Sequence, residues 1–137
     1  VKTFFDTSAF AKRYINEPGS RTVAEICTNS DDIAICIVAV TECFSTFNRL
    51  RREKRLAHSS YIHIKEELLK DIADISLILL SPSIVHRSIL ALEMSPLRAI
   101  DALHIACASY WQPDVFVSSD TQQIRAAQRM GLRTRTV

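Results

Sequence analysis

Two six-residue runs, "IAICIV" at 33–38 and "ISLILL" at 75–80, limit what this chain can fold into more than any other feature. A strand that faces water on one side alternates apolar and polar residues, because successive side chains point to opposite faces. Neither run alternates. Both are therefore expected to be buried on two faces, as in a parallel sheet covered by helices. "VKTFF" (1–5), "DVFVS" (114–118) and "RTRTV" (133–137) supply three further strand candidates. The segments between carry helical spacing over 8–15, 20–29, 40–56, 58–72, 83–93, 98–110 and 121–130. Ser81-Pro82 reads as an N-cap followed by proline at the first helical position, and Gly131 as a C-terminal stop. The expected fold class is α/β, a three-layer α/β/α sandwich with a parallel central sheet. At 137 residues the chain is expected to form one domain over 1–137.

Composition removes several classes of function. Only two glycines occur, Gly19 and Gly131, which excludes a Walker loop and a dinucleotide-binding fingerprint, since both need several glycines to bring backbone against phosphate. With 47% hydrophobic residues, no apolar run approaches the roughly 18–20 residues of a membrane span. The start, "VKTFFDTSAFAKRY", has neither a long apolar core nor a small-residue cleavage site, so the expected location is the cytoplasm. Cys27, Cys36, Cys43 and Cys107 show no C-x-x-C spacing and sit among apolar residues, as buried free thiols do. The net charge of +2 is too small for nucleic acid to be bound by overall charge, so any such binding must be local.

The acidic residues are placed more tellingly. Asp6 follows the first expected strand in "TFFDTSAF", Glu42 follows the second in "VAVTECFS", and Asp120 follows the fourth in "FVSSDTQQI". The carboxyl ends of parallel strands form the edge where ligands bind, so three acids are expected on one rim. Asp101, in the largely apolar helix "LRAIDALHIACASY", is a fourth candidate, because a carboxylate in a packed helix is costly unless something pairs with it. Each has a structural reading as well. Asp6 and Asp120 precede helices and suit N-caps, Asp101 could favour a helix start, and Glu42 points away from the stripe Val40, Cys43, Phe44, Phe47 and Leu50, as a solvated glutamate would. If the helix begins at Ser95-Pro96, Asp101 lies beyond its first turn and the helix-start reading weakens.

Four segments taken together resemble the signature blocks of PIN-domain nucleases, especially VapC-type toxins: "FFDTSAFAKRY", "VAVTECFS", "RAIDALHIACA" and "FVSSDTQQIRAAQRMGL". The resemblance runs the length of the chain. It implies a ribonuclease dependent on Mg²⁺ or Mn²⁺, with the family's acids at Asp6, Glu42, Asp101 and Asp120. Ser118 corresponds to a hydroxyl residue that is threonine in many relatives. The resemblance also implies an RNA substrate, a homodimer, and a cognate antitoxin whose tail fills the site. The residue chemistry agrees, because crowded carboxylates repel one another unless a cation is present, and oxygen-only ligands suit Mg²⁺ or Mn²⁺. On this reading Asp6, Asp101, Asp120 and Glu42 form the metal site, the three aspartates holding the metal or its direct ligands, Glu42 holding a metal-bound water or acting as base, and Ser118 orienting a ligand or water.

Other features are weaker. His104, three residues after Asp101, reads as a packed histidine, and His58, His63 and His86 cluster with nothing. "RLRREKR" at 49–55 reads as a solvated helical face that could hold RNA phosphates, with Arg13 and Arg98 as second-rank candidates. Asp31, Asp32, Asp71 and Asp74 read as loop or surface residues. An aspartyl phosphatase often has a second aspartate where Ser8 stands, and a receiver domain needs a late lysine, whereas none follows Lys70. The remaining alternative is a catalytically silent PIN-like module that binds RNA or protein.

Overall fold

Phe4 and Phe5 are both fully buried, yet adjacent strand residues point to opposite faces, so each belongs to a different core. The computed structural model describes residues 1–137. Strands β1 (Lys2–Phe5), β2 (Asp32–Cys36), β3 (Ser76–Ile78), β4 (Val115–Ser118) and β5 (Thr134–Thr136) form one sheet in the order β3-β2-β1-β4-β5. Every pairing is parallel, with Phe4 opposite Ala34 on one side and Phe116 on the other. Helices α1 (Thr7–Phe10), α2 (Ser20–Thr28), α3 (Val38–Arg52) and α4 (His58–Asp71) pack residues such as Phe10, Val23, Phe47 and Leu68 around Phe5, Ile35 and Val117. On the other face α5 (Pro82–Met94), α6 (Ala99–Trp111) and α7 (Thr121–Arg129) bring Ile84, Ile105 and Ala127 against Phe4, Ala34, Cys36 and Phe116. The expected three layers are all present. No helix is long and apolar enough to cross a membrane.

The connection order gives the sheet a crevice. From β1 the chain moves outward to β2 and β3, then returns to the other side of β1 for β4 and β5. Such a reversal opens a ligand-binding gap at the carboxyl ends of the two strands involved, here β1 and β4.

Element boundaries differ from expectation in two places that matter. The first helix stops at Phe10 and continues as a 3-10 turn over Ala11–Arg13, and the left-handed Gly19 (φ 97°) after Pro18 then redirects the chain into α2. α3 ends at Arg52, not 56. Lys54 adopts φ 57°, its N–H donates to Arg51 O, and the N–H of Arg55 donates to Leu50 O at 2.8 Å, which closes a Schellman turn without the usual glycine. α6 begins at Ala99, within a residue of the expected 98 and not at Ser95-Pro96, so Asp101 falls in its first turn. The same Schellman pattern at α7 uses the expected Gly131 (φ 83°), and Ser81 caps α5 ahead of Pro82 as read.

Asp71 is a correction of another kind, because it is not an idle surface acid. Its Oδ2 accepts from Arg13 Nε at 2.9 Å and from Tyr14 Oη at 2.7 Å, tying the end of α4 to the segment after α1. Arg13 is thereby committed to a structural pair. Burial alone would raise the Asp71 pKa, but the bonds from Arg13 and Tyr14 outweigh it and hold the carboxyl below its usual range. A depressed folded-state pKa means stability that is present at neutral pH and lost as pH falls through the folded value. Asp71→Asn should therefore lower stability at pH 7 by about 1 kcal/mol, a figure reduced for partial exposure. Denaturant titrations at pH 7 and pH 3 check this, since the gap between parent and variant should shrink at pH 3.

Candidate active site

Asp6 leaves β1 directly into α1 and is only 2% exposed. Its Oδ1 accepts from the Ala9 N–H at 3.0 Å and from Ser8 Oγ at 2.8 Å, while Oδ2 accepts from Ser118 Oγ at 2.6 Å. The residue is thus an N-cap and a carboxylate delivered to the rim at once. Burial pushes its pKa up, against the lowering effect of those three donors. Ser118, the last residue of β4, is fully buried beneath it and also accepts from the Asp120 N–H at 2.9 Å. Its hydroxyl positions Asp6 and the turn to Asp120; it does not line the cavity.

Glu42 lies at the start of α3 and is half-buried, not solvated. Its Oε1 accepts from Thr7 Oγ1 at 2.6 Å and lies 2.6 Å from His104 Nε2. Burial would raise the Glu42 pKa, but the bonds from His104 and Thr7 hold it below the usual range. His104, 1% exposed, is shifted oppositely: burial would lower its pKa, and the Glu42 carboxylate holds it up. Its Nδ1 is buried without a partner, so a charged ring would leave a donor unmet there and the two effects compete. The packed histidine read from sequence is packed, and it is also part of the site.

Asp101 and Asp120 complete the rim. Asp101 projects from the first turn of α6, where the helix dipole favours a carboxylate, and accepts from Arg98 Nε at 3.2 Å and more weakly from Gln123 Nε2 at 3.4 Å. Asp120 caps α7 through Oδ1, which accepts from the Gln122 N–H at 2.8 Å. Asp6, Glu42, Asp101 and Asp120 line one cavity of about 200 Å³ with no apolar wall, joined by Thr7, Ser8, Arg98, His104 and Gln123. The hydroxyls of Thr7 and Ser8 stood visibly beside Asp6 in the sequence, but nothing local assigned Thr7 to Glu42, 35 residues away.

The donor set fits a hydrated hard cation. All four candidate ligands are carboxylates, and no three of these side chains close into a ready-made coordination shell. Mg²⁺ characteristically keeps several waters and takes only one or two carboxylates directly. Gln123 Oε1 is buried with no partner while its side chain borders the cavity, so it calls for a donor such as water.

The basic run is less available than its sequence suggests. Arg51 stacks over the Tyr61 ring at 4.4 Å, Arg55 pairs with Glu53 at 3.3 Å, and only positions 49–52 are helical. Arg98, by contrast, stands at the cavity with its side chain largely exposed.

The family model of the PIN domain matches residues 3–129. Solved structures with the same fold include a toxin-antitoxin complex from Klebsiella pneumoniae, at 15% identity and a TM-score of 0.65 over 89% of each chain. VapBC2 from Rickettsia felis, bound to a DNA fragment from its promoter, matches at 12% identity and 0.69, covering 100% of this chain and 99% of the other. Mycobacterium tuberculosis VapC20, a toxin that cleaves the sarcin-ricin loop, matches at 14% identity and 0.69, covering 90% and 94%. No curated protein sequence matches.

Proposed function

Because the chain belongs to the PIN domain family, we propose that it is a divalent-metal-dependent ribonuclease, the VapC-type toxin of a type II toxin-antitoxin pair, acting in the cytoplasm as one domain over 1–137. The observation that carries this reading is the convergence of Asp6, Glu42, Asp101 and Asp120 on one polar cavity at the crevice of a parallel sheet. Asp6, Asp101 and Asp120 would hold Mg²⁺ or Mn²⁺, with Glu42 reaching it directly or through water. The bound cation supplies an acidified water and offsets negative charge on the phosphate. Glu42, kept ionised by Thr7 and His104, orients that water or accepts its proton. Ser118 and Ser8 hold Asp6 in place, and Arg98 steadies Asp101.

Two partners belong to the reading. Toxin-antitoxin complexes among the structural neighbours support a cognate antitoxin covering this cavity. A homodimer is supported by α5, where Val85, Ile89 and Leu92 stand at helical spacing with 41–49% of their surface exposed, beside Leu79 and Leu80. A contiguous apolar strip of this kind marks an interaction surface. Ile89→Lys should halve the mass measured by light scattering without unfolding the chain; an unchanged mass would place the dimer contact elsewhere.

Induced expression tests the whole reading in cells. Growth should arrest with the parent, RNA sequencing should show new cleavage ends, and Asp6→Asn should do neither. Arrest by a folded Asp6→Asn protein would instead favour a silent binding module.

A further inference from the structure

We propose that Arg125 and Arg129 of α7, with Gln122, form a track that binds the backbone of single-stranded RNA beside the carboxylate cavity; this rests on the ribonuclease reading above. The cavity by itself repels its substrate. Its four carboxylates face a chain carrying one negative charge per nucleotide, and Arg98 is the one fixed cation among its lining residues. A polyanion can approach such a rim only if cations stand next to it.

α7 supplies them. A second hollow, of about 80 Å³, is lined by Pro96, Gln122, Arg125 and Arg129. The two hollows have no lining residue in common but are lined by adjoining positions of the chain: Gln122 lies between the N-cap Asp120 and Gln123, and Pro96 is two residues before Arg98. Gln122, Arg125 and Arg129 recur at intervals of three and four, so they occupy one helical face. That face is exposed while Gln123, Ile124, Ala126 and Ala127 are buried, which aims the arginines outward. Every ion pair in the molecule involves other cations. Arg129 Nη1 donates to Ser95 Oγ at 3.0 Å, which anchors one of its five N–H groups and leaves the fork poised for phosphate oxygens. The helical rise sets Arg125 and Arg129 about 7.5 and 13.5 Å beyond Asp120 along the axis, a path for a strand leaving the cavity. In the basic run at 49–55, by comparison, Arg51 and Arg55 already have partners of their own.

The test is binding of a labelled mixed-sequence single-stranded RNA to the full chain in EDTA, followed from 50 to 200 mM salt. Each lost phosphate contact should flatten the plot of log K against log salt by about 0.7, so Arg125→Gln/Arg129→Gln should flatten it by about 1.4. Arg125→Lys/Arg129→Lys should retain the parent slope. Removing two exposed charges elsewhere, with Arg21→Gln/Lys65→Gln, should leave binding unchanged. With Mn²⁺ present, the Gln pair should raise KM several-fold and leave kcat within about twofold, as loss of uniform binding does. A parent slope in the Gln pair, or equal flattening by the distant pair, overturns the track. A parent that neither binds RNA in EDTA nor cleaves it in Mn²⁺ overturns the ribonuclease reading and the track together, whereas a parent that cleaves in Mn²⁺ but does not bind in EDTA, or binds with an unaffected Gln pair, overturns the track alone.

Discussion

Asp6→Asn should reduce RNA cleavage by more than the roughly 10–100-fold that loss of an outer-shell partner costs a metal site. The geometry makes this substitution unusually clean. Asparagine keeps an acceptor for the Ala9 N–H and is as good an N-cap as aspartate, so α1 retains its start. Ser118 can accept from the new amide where it formerly donated to Oδ2. What disappears is one buried negative charge, which burial already disfavours. In EDTA the variant should therefore melt at or above the parent, while a melting point several degrees lower would show that lost activity reflects damage to the fold. Initial rates of cleavage, with melting curves of both proteins, decide the matter.

The second large effect concerns stability. A cation bound only by the folded chain adds RT ln(1 + [L]/Kd), or about 2.7 kcal/mol at one hundred times Kd. For a domain of this length that is a rise in Tm of roughly 8–10 °C. Adding saturating Mn²⁺ to metal-free protein should produce such a shift in the parent. Asp101→Asn and Asp120→Asn should respond less, because each removes a carboxylate from the cavity. Equal shifts in parent and variants would place the cation outside it.

The contrast between these residues and the rest of the fold shows what local pattern can carry. Strand cores such as Ile33 to Cys36 were legible because burial on both faces leaves no room for polar alternation. The acids at the ends of β1 and β4 and near the start of α3 were legible once those strands were placed, since parallel topology alone puts them on one rim. The end of α3 was not. Its left-handed position is filled by Lys54, so the glycine that marks the matching turn after α7 is missing. Whether Asp101 fell within the first helical turn stayed open because Ser95-Pro96 looks like a helix start, whereas Ser95 and Arg98 are both extended and α6 begins at Ala99.

Long-range pairing was the least visible. His104 and Glu42 lie 62 residues apart, and nothing near either one announces the 2.6 Å contact. Asp71 was set aside as a surface acid because its partners, Arg13 and Tyr14, precede it by 58 and 57 residues. Gln123 gave no signal either, as a glutamine one turn into an amphipathic helix ordinarily faces water. Only the fold shows it buried against Asp101.

Single-turnover cleavage of a labelled single-stranded RNA by the purified parent, in Mn²⁺, then in excess EDTA, then with Mn²⁺ restored in excess of chelator, tests the central claim most directly. Cleavage is expected in the first condition, none in the second and recovery in the third. Undiminished cleavage in excess EDTA, or none in any condition by a folded protein, would contradict it.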